Sequence, residues 1–131
     1  MENEGKKVLI VEDNAMNMML VRDILTINGY EIIEAVTGAE AIRLVAGEHP
    51  DIILMDLHLP GMDGITATRL LKAEERFKEI PILAITASAS STDVAEILGR
   101  GFDGCVTKPI DVELLLGEVR RFTSKVEAPR D

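Results

Sequence analysis

The chain has 131 residues, 47% hydrophobic and 28% charged, enough for one domain with its own core. A formal net charge of -9 and an aromatic content of 3%, with no Trp, argue against phosphate-backbone binding, anionic membrane surfaces, base-stacking platforms and flavin sandwiches, and suit a cation site. The single Cys105 rules out an internal disulfide, no stretch reaches the length of a membrane span and Met1-Glu2-Asn3-Glu4 is no signal peptide, so a cytoplasmic protein inserted in no membrane is expected.

Residues 1–6 are a polar lead-in. Val8-Leu9-Ile10-Val11 is a short apolar run ending at Glu12-Asp13. Asn14 can cap a helix with Leu20, Val21, Ile24 and Leu25 on its apolar face, which Asn28-Gly29 stops. A second strand is expected over 30–35. Thr37 and Glu40 form a T-x-x-E capping box for a helix carrying Ala41, Leu44 and Val45. Asp51-Ile52-Ile53-Leu54-Met55-Asp56 follows, four uninterrupted apolar residues closed by a carboxylate, the pattern of a strand buried on both faces. Asp63-Gly64 opens a helix through Glu74 with Ile65, Leu70 and Leu71, and the charged stretch from Lys72 to Lys78 reads as its solvated end. A fourth strand is expected over 80–85, ending at Thr86, with Pro81 tolerated near its start. A helix over 90–98, stopped by Gly99 and Gly101, leads to a strand over 104–107 that ends at Lys108-Pro109. Asp111 caps a last helix with Leu114, Leu115, Val119 and Phe122. The domain is expected over 6–124, with 125–131 a short flexible tail.

Five strands alternating with five helices predict a doubly wound, five-stranded parallel α/β sheet, flavodoxin-like, in the order 2-1-3-4-5. The strands leading to Glu12-Asp13 and to Asp56 are then neighbours, and the winding reverses between them, where ligands bind in such folds. Parallel strands share one carboxyl edge, so Glu12, Asp13, Asp56, Thr86 and Lys108 meet on one rim. Three carboxylates held close need a proton or a cation among them, and a hard divalent ion of the Mg2+ kind fits. Asp13 and Asp56 would be direct ligands together with the backbone carbonyl of His58, and Glu12 would act through a water. Such a site suits in-line phosphoryl transfer to Asp56, with Lys108 and the Thr86 hydroxyl on the phosphoryl oxygens.

The set Glu12-Asp13, Asp56, Leu59-Pro60-Gly61-Met62-Asp63-Gly64, Thr86-Ala87 and Lys108-Pro109 resembles the receiver domains of bacterial two-component response regulators, from about Lys6 to about Phe122. Asn14, Asn17 and the stretch from Asp103 to Ile110 look like stand-alone cell-cycle receivers of the DivK type, and equally like receivers attached to hybrid kinases. The resemblance implies Asp56 as phosphoacceptor, Glu12 and Asp13 in Mg2+ binding, Thr86 and Lys108 as phosphate sensors and a cis Lys108-Pro109 bond. It implies a histidine kinase or a histidine phosphotransfer protein as donor, docking on the first helix, where Met16, Met18 and Met19 offer a pliable patch although at least one of them packs inward. Output would be a downstream protein target, met on the fourth helix, fifth strand and fifth helix by a monomer or weak dimer. Cys105 stands where the family usually carries Tyr or Phe, so switching through Thr86, Cys105 and Pro109 is expected to work with a smaller lever.

Two other chemistries are weighed. A phosphohydrolase of the haloacid dehalogenase type would carry an acidic residue two positions after Asp56, where His58 stands, and a cap insertion that the chain lacks. A flavodoxin-like electron carrier would need a hydroxyl-rich phosphate loop where Glu12-Asp13 sits. The His58 and His49 side chains are expected at the surface, and Ser88 has a minor claim to tuning acyl phosphate hydrolysis.

Overall fold

The computed structural model describes residues 5–87 and 91–124; Ser88, the expected helix start at 90 and the expected tail over 125–131 lie outside the described residues. The elements run β1 (Lys7–Val11), α1 (Ala15–Ile27), β2 (Glu31–Ala35), α2 (Gly38–Glu48), β3 (Ile52–Asp56), α3 (Gly64–Ala73), β4 (Ile82–Thr86), α4 (Ser91–Gly99), β5 (Gly104–Thr107) and α5 (Val112–Thr123). All strand pairings are parallel and the sheet order is β2-β1-β3-β4-β5, as the alternating pattern predicts.

β3 and β4 are buried at every position, which explains their unbroken apolar runs. Successive side chains on a strand point to opposite faces. Leu9, Val11, Ile53, Met55, Ile82 and Ala84 accordingly pack on one face, against Ala41, Val45, Ala67, Leu71 and Ile97. Val8, Ile10, Ile52, Leu54, Leu83, Ile85 and Val106 pack on the other, against Met18, Val21 and Leu25 of α1 and Leu115, Leu116 and Val119 of α5.

The helix starts are fixed locally. Asn14, Thr37, Asp63 and Asp111 each accept a bond from the amide three residues on. Glu40 reaches back to the Val36 amide at 2.8 Å. Three expected core leucines, Leu20, Leu70 and Leu114, are exposed instead. Each lies on a helix with more apolar residues than one buried face can take. In Leu114-Leu115-Leu116 only the last two can turn to the sheet, and α1 buries Met18, Val21 and Leu25 at helical spacing. β2 starts at Glu31, and Tyr30 is buried with its hydroxyl 3.3 Å from Thr123 Oγ1. Pro81 stands just before β4, where its carbonyl still accepts from the Ile53 amide at 2.9 Å. Gly99 closes α4 from within, and Gly101 supplies the positive φ of 103° beyond it.

Lys72 is no solvated residue. Its ammonium donates to the carbonyls of Lys78 (3.2 Å) and Ile80 (2.9 Å) and to Asp103 Oδ2 (2.9 Å). Three acceptors match the donors of one ammonium, which lets it turn inward. Among the described residues no helix is long and apolar enough to cross a membrane.

Candidate functional site

The register pairs Val11 with Met55, so Glu12, the next residue after β1, stands beside Asp56 at the end of β3. One carboxylate oxygen from each of Glu12, Asp13 and Asp56 lies within 4.8 Å of the others. Asp56 and Glu12 are only 3% and 2% exposed, whereas Asp13 faces solvent. The cluster is therefore closed at its base and open at Asp13.

Each oxygen of Asp56 is engaged. The Lys108 ammonium donates to Oδ2 at 3.0 Å, and the His58 amide donates to Oδ1 at 2.9 Å. Lys108 also stands 3.6 Å from Glu12 Oε1, and the Asn14 amide donates to Glu12 Oε2 at 3.1 Å. The Lys108 backbone is tied in by its own amide, which donates to the Thr86 carbonyl at 2.8 Å. The Lys108-Pro109 bond is cis, as the resemblance implies.

Charge is only partly balanced here. Burial holds the Glu12 carboxyl above its usual 4.5; the Asn14 amide pulls it down, the bond and charge of Asp56 push it further up, and Lys108 again lowers it. Burial draws the Lys108 ammonium down, but its bond to Asp56 and the charges of Asp56 and Glu12 outweigh that and leave it above 10.5. Three carboxylates face one ammonium, so negative charge is left over. The donors are all hard oxygens, with no sulfur or imidazole nitrogen among the three converging residues. That chemistry fits a divalent ion of the Mg2+ class at Glu12, Asp13 and Asp56.

Thr86 ends β4 beside this cluster and is buried. Ile85, not Thr86, is in register with Asp56, and strand alternation turns the Thr86 side chain to the other face. There it lines a cleft with Leu57, Ile65 and Ile97, rimmed by Asp93, Glu96 and Arg100. Cys105 is half-buried; burial and the neighbouring Glu118 hold its thiol above the usual 9.0, against reactivity. His58 and His49 are exposed, as expected. Met18 is buried while Met16 and Met19 are exposed, which divides the methionine patch as anticipated. The amides of Asn14 and His58 were invisible to residue-type reasoning, because any amino acid other than proline supplies a backbone donor.

A carboxyl whose folded pKa lies above its unfolded value favours the folded state while protonated. That contribution is full below the unfolded value and fades as pH rises through the folded one. In the absence of divalent ions, Glu12→Gln should therefore gain in melting temperature on the parent as pH is raised from about 4 to about 7. A difference that stays constant across that range, followed by calorimetry, would contradict this account of Glu12.

The model of the response regulator receiver domain family matches residues 8–120. The polar-differentiation response regulator DivK of Brucella ovis is 40% identical over 117 residues, covering 89% of this chain and 95% of that protein. The receiver domain of a sensor histidine kinase from Pseudomonas aeruginosa, solved with a magnesium ion coordinated in its active site cleft, superposes with a TM-score of 0.83 at 34% identity, covering 91% of this chain and 98% of that one. A chain of the co-crystal structure of a Saccharomyces cerevisiae histidine phosphotransfer signaling protein and the receiver domain of its downstream response regulator gives a TM-score of 0.87 at 27% identity, covering 98% and 96%. With the matched family spanning most of the chain and the acidic cluster standing at the strand ends, the chain belongs to the response regulator receiver domain family and is a receiver of two-component phosphorelay signalling.

Proposed function

We propose that Asp56 is the phosphoacceptor. The observation that carries this reading is the Lys108–Asp56 pair at 3.0 Å within a trio of carboxylates, two buried and the third, Asp13, exposed. An Asp56 oxygen attacks the phosphorus of a phosphohistidine, the P–N bond breaks and the imidazole nitrogen keeps the electron pair and gains a proton. The product is an acyl phosphate carrying roughly two negative charges near neutral pH. Lys108 neutralises one phosphoryl oxygen, and the Thr86 hydroxyl turns from its cleft to bond another. Asp13, Asp56 and the His58 carbonyl would hold Mg2+ directly, with Glu12 behind a water; the ion supplies countercharge to the cluster and the incoming phosphoryl group. The chain turns over no substrate of its own beyond its phosphorylation and slow hydrolysis. Residues 6–124 act as one receiver in the cytoplasm, as a monomer or weak dimer.

The donor is a histidine kinase or a histidine phosphotransfer protein. Met16, Met19, Leu20 and Ile27 leave an exposed apolar face along α1, the helix that follows Glu12-Asp13, lining a groove of ≈ 400 Å³ with Asn17, Asp23 and Ile24. Such a face suits an amphipathic partner helix. On the output side Cys105 lines a groove with Val94, Leu98 and Leu114, between α4, β5 and α5. A downstream protein reading that surface would sense Thr86 and the Lys108-Pro109 turn through β5.

Incubation with acetyl phosphate and Mg2+ should add one base-labile phosphate per chain, lost on chelation or in Asp56→Asn. Rapid multiple turnover of small phosphoesters would instead favour an aspartyl-phosphate phosphohydrolase. Leu20→Glu should slow labelling by the protein donor about tenfold or more while leaving labelling by acetyl phosphate near the parental rate, since truncating or charging an interface anchor costs at least a factor of that size; equal loss with both donors would count against the α1 face. Beryllofluoride with Mg2+ should shift backbone amides across 94–106 in NMR spectra, and amides that stay in place there would rule out the Thr86-linked switch.

A further inference from the structure

Gly64 opens α3 at a place where no other side chain fits. A Cβ added there would overlap the carbonyl oxygen of Asp56 and stand 3.0 Å from Leu57 Cα and 3.0 Å from Met55 Cγ. The first two neighbours are backbone, so a change of rotamer cannot relieve the clash. The φ of Gly64 is not in the left-handed region, so the demand is for space alone. The gap is used: the Gly64 amide donates to the Leu57 carbonyl at 3.2 Å, and Asp63 caps the helix through the Thr66 amide at 2.7 Å. The first turn of α3 thus rests on the last peptide of β3. Between them runs the loop over 57–63, whose His58 amide holds Asp56 Oδ1 at 2.9 Å. A second glycine admits the far side of that loop. A Cβ on Gly38, the first residue of α2, would lie 3.0 Å from the Met62 carbonyl oxygen and 3.2 Å from Ala67 Cβ.

We infer that Gly64 is a positioning residue for the phosphoacceptor, keeping α3 close enough to the Asp56 backbone that the His58 amide aims the Asp56 carboxylate at the donor, and that Gly38 supports the same loop from outside. This rests on the reading of Asp56 as phosphoacceptor. A methyl group at Gly64 must push α3 away from β3 or rotate the Asp56 peptide. Either movement carries Leu57 and His58 with it and turns the carboxylate, while Glu12 and Asp13 on the β1 side keep their support. A displacement of about 1 Å at a reacting group can lower a rate by about two orders of magnitude.

The test compares Gly64→Ala with Leu71→Ala, a truncation of a buried leucine near the other end of the same helix. Initial rates of labelling by acetyl phosphate at saturating Mg2+ are measured well below each melting temperature, with the amide shift of His58 recorded by NMR. Gly64→Ala should be slowed about tenfold or more and its His58 amide should move, while Leu71→Ala labels within about twofold of the parent with that amide in place. Parental labelling by Gly64→Ala, or equal slowing of both variants, overturns the proposal. If Gly64→Ala gives no cooperative melt, Gly38→Ala decides in its place: slowing of about threefold or more supports the positioning role and a parental rate refutes it. A parent that takes no phosphate at Asp56 defeats the underlying reading as well, which separates that failure from failure of the glycine alone.

Discussion

The structure depends on a burial that is unfavourable in isolation: the Asp56 carboxylate, 3% exposed, beside the equally sheltered Glu12. Two carboxylates withdrawn from water repel each other and lose hydration, and removing the partner of a buried charge is costly. Lys108 at 3.0 Å from one and 3.6 Å from the other supplies the countercharge, and backbone amides of Asn14 and His58 take up the remaining oxygens. The compensation is incomplete, since a third carboxylate, Asp13, joins from the solvent side. A site built this way has a standing demand for a cation and a ready place for an electrophile.

The sheet makes that burial possible. β3 is apolar on both faces because two helical layers cover it, and a strand so enclosed cannot shift to let its last residue escape to water. The parallel arrangement brings the ends of β1, β4 and β5 to the same rim, so that residues far apart in sequence supply the cluster. Caps at Asn14 and Asp63 begin α1 and α3 right behind the rim, one at the head of the helix proposed to meet the donor and one behind the Asp56 peptide. A phosphoryl group added to Asp56 would enter a site whose charge is held in place by Lys108. The strain of accommodating it would pass to the β4 end, where Thr86 lines its cleft, and through Lys108 to β5 and the groove at Cys105.

Much of this was legible in the sequence. The apolar run ending in Asp56, the Glu12-Asp13 pair after the first run and Lys108-Pro109 after the last are chemistry written in residue types, and the alternation of strands and helices dictated their meeting. What escaped was of two kinds. Backbone donors, such as the amides of His58 and Asn14, belong to conformation and leave no trace in residue identity. Facing was the other: Leu20, Leu70 and Leu114 match helical spacing as well as their buried neighbours do, and only the angle at which each helix crosses the sheet decides between them. Lys72 shows the same limit for charge, since its inward turn depends on carbonyls of Lys78 and Ile80 that a loop brings back to it. Thr86 sits at the right strand end, but pleating directs its side chain to the face opposite Asp56.

The most direct measurement is to label the chain with acetyl phosphate and Mg2+, reduce the acyl phosphate with borohydride and locate the modified residue by peptide mass spectrometry. The account predicts reduction at Asp56 alone. Modification at Asp13 or Asp51, or none on a folded and Mg2+-loaded chain, would contradict it.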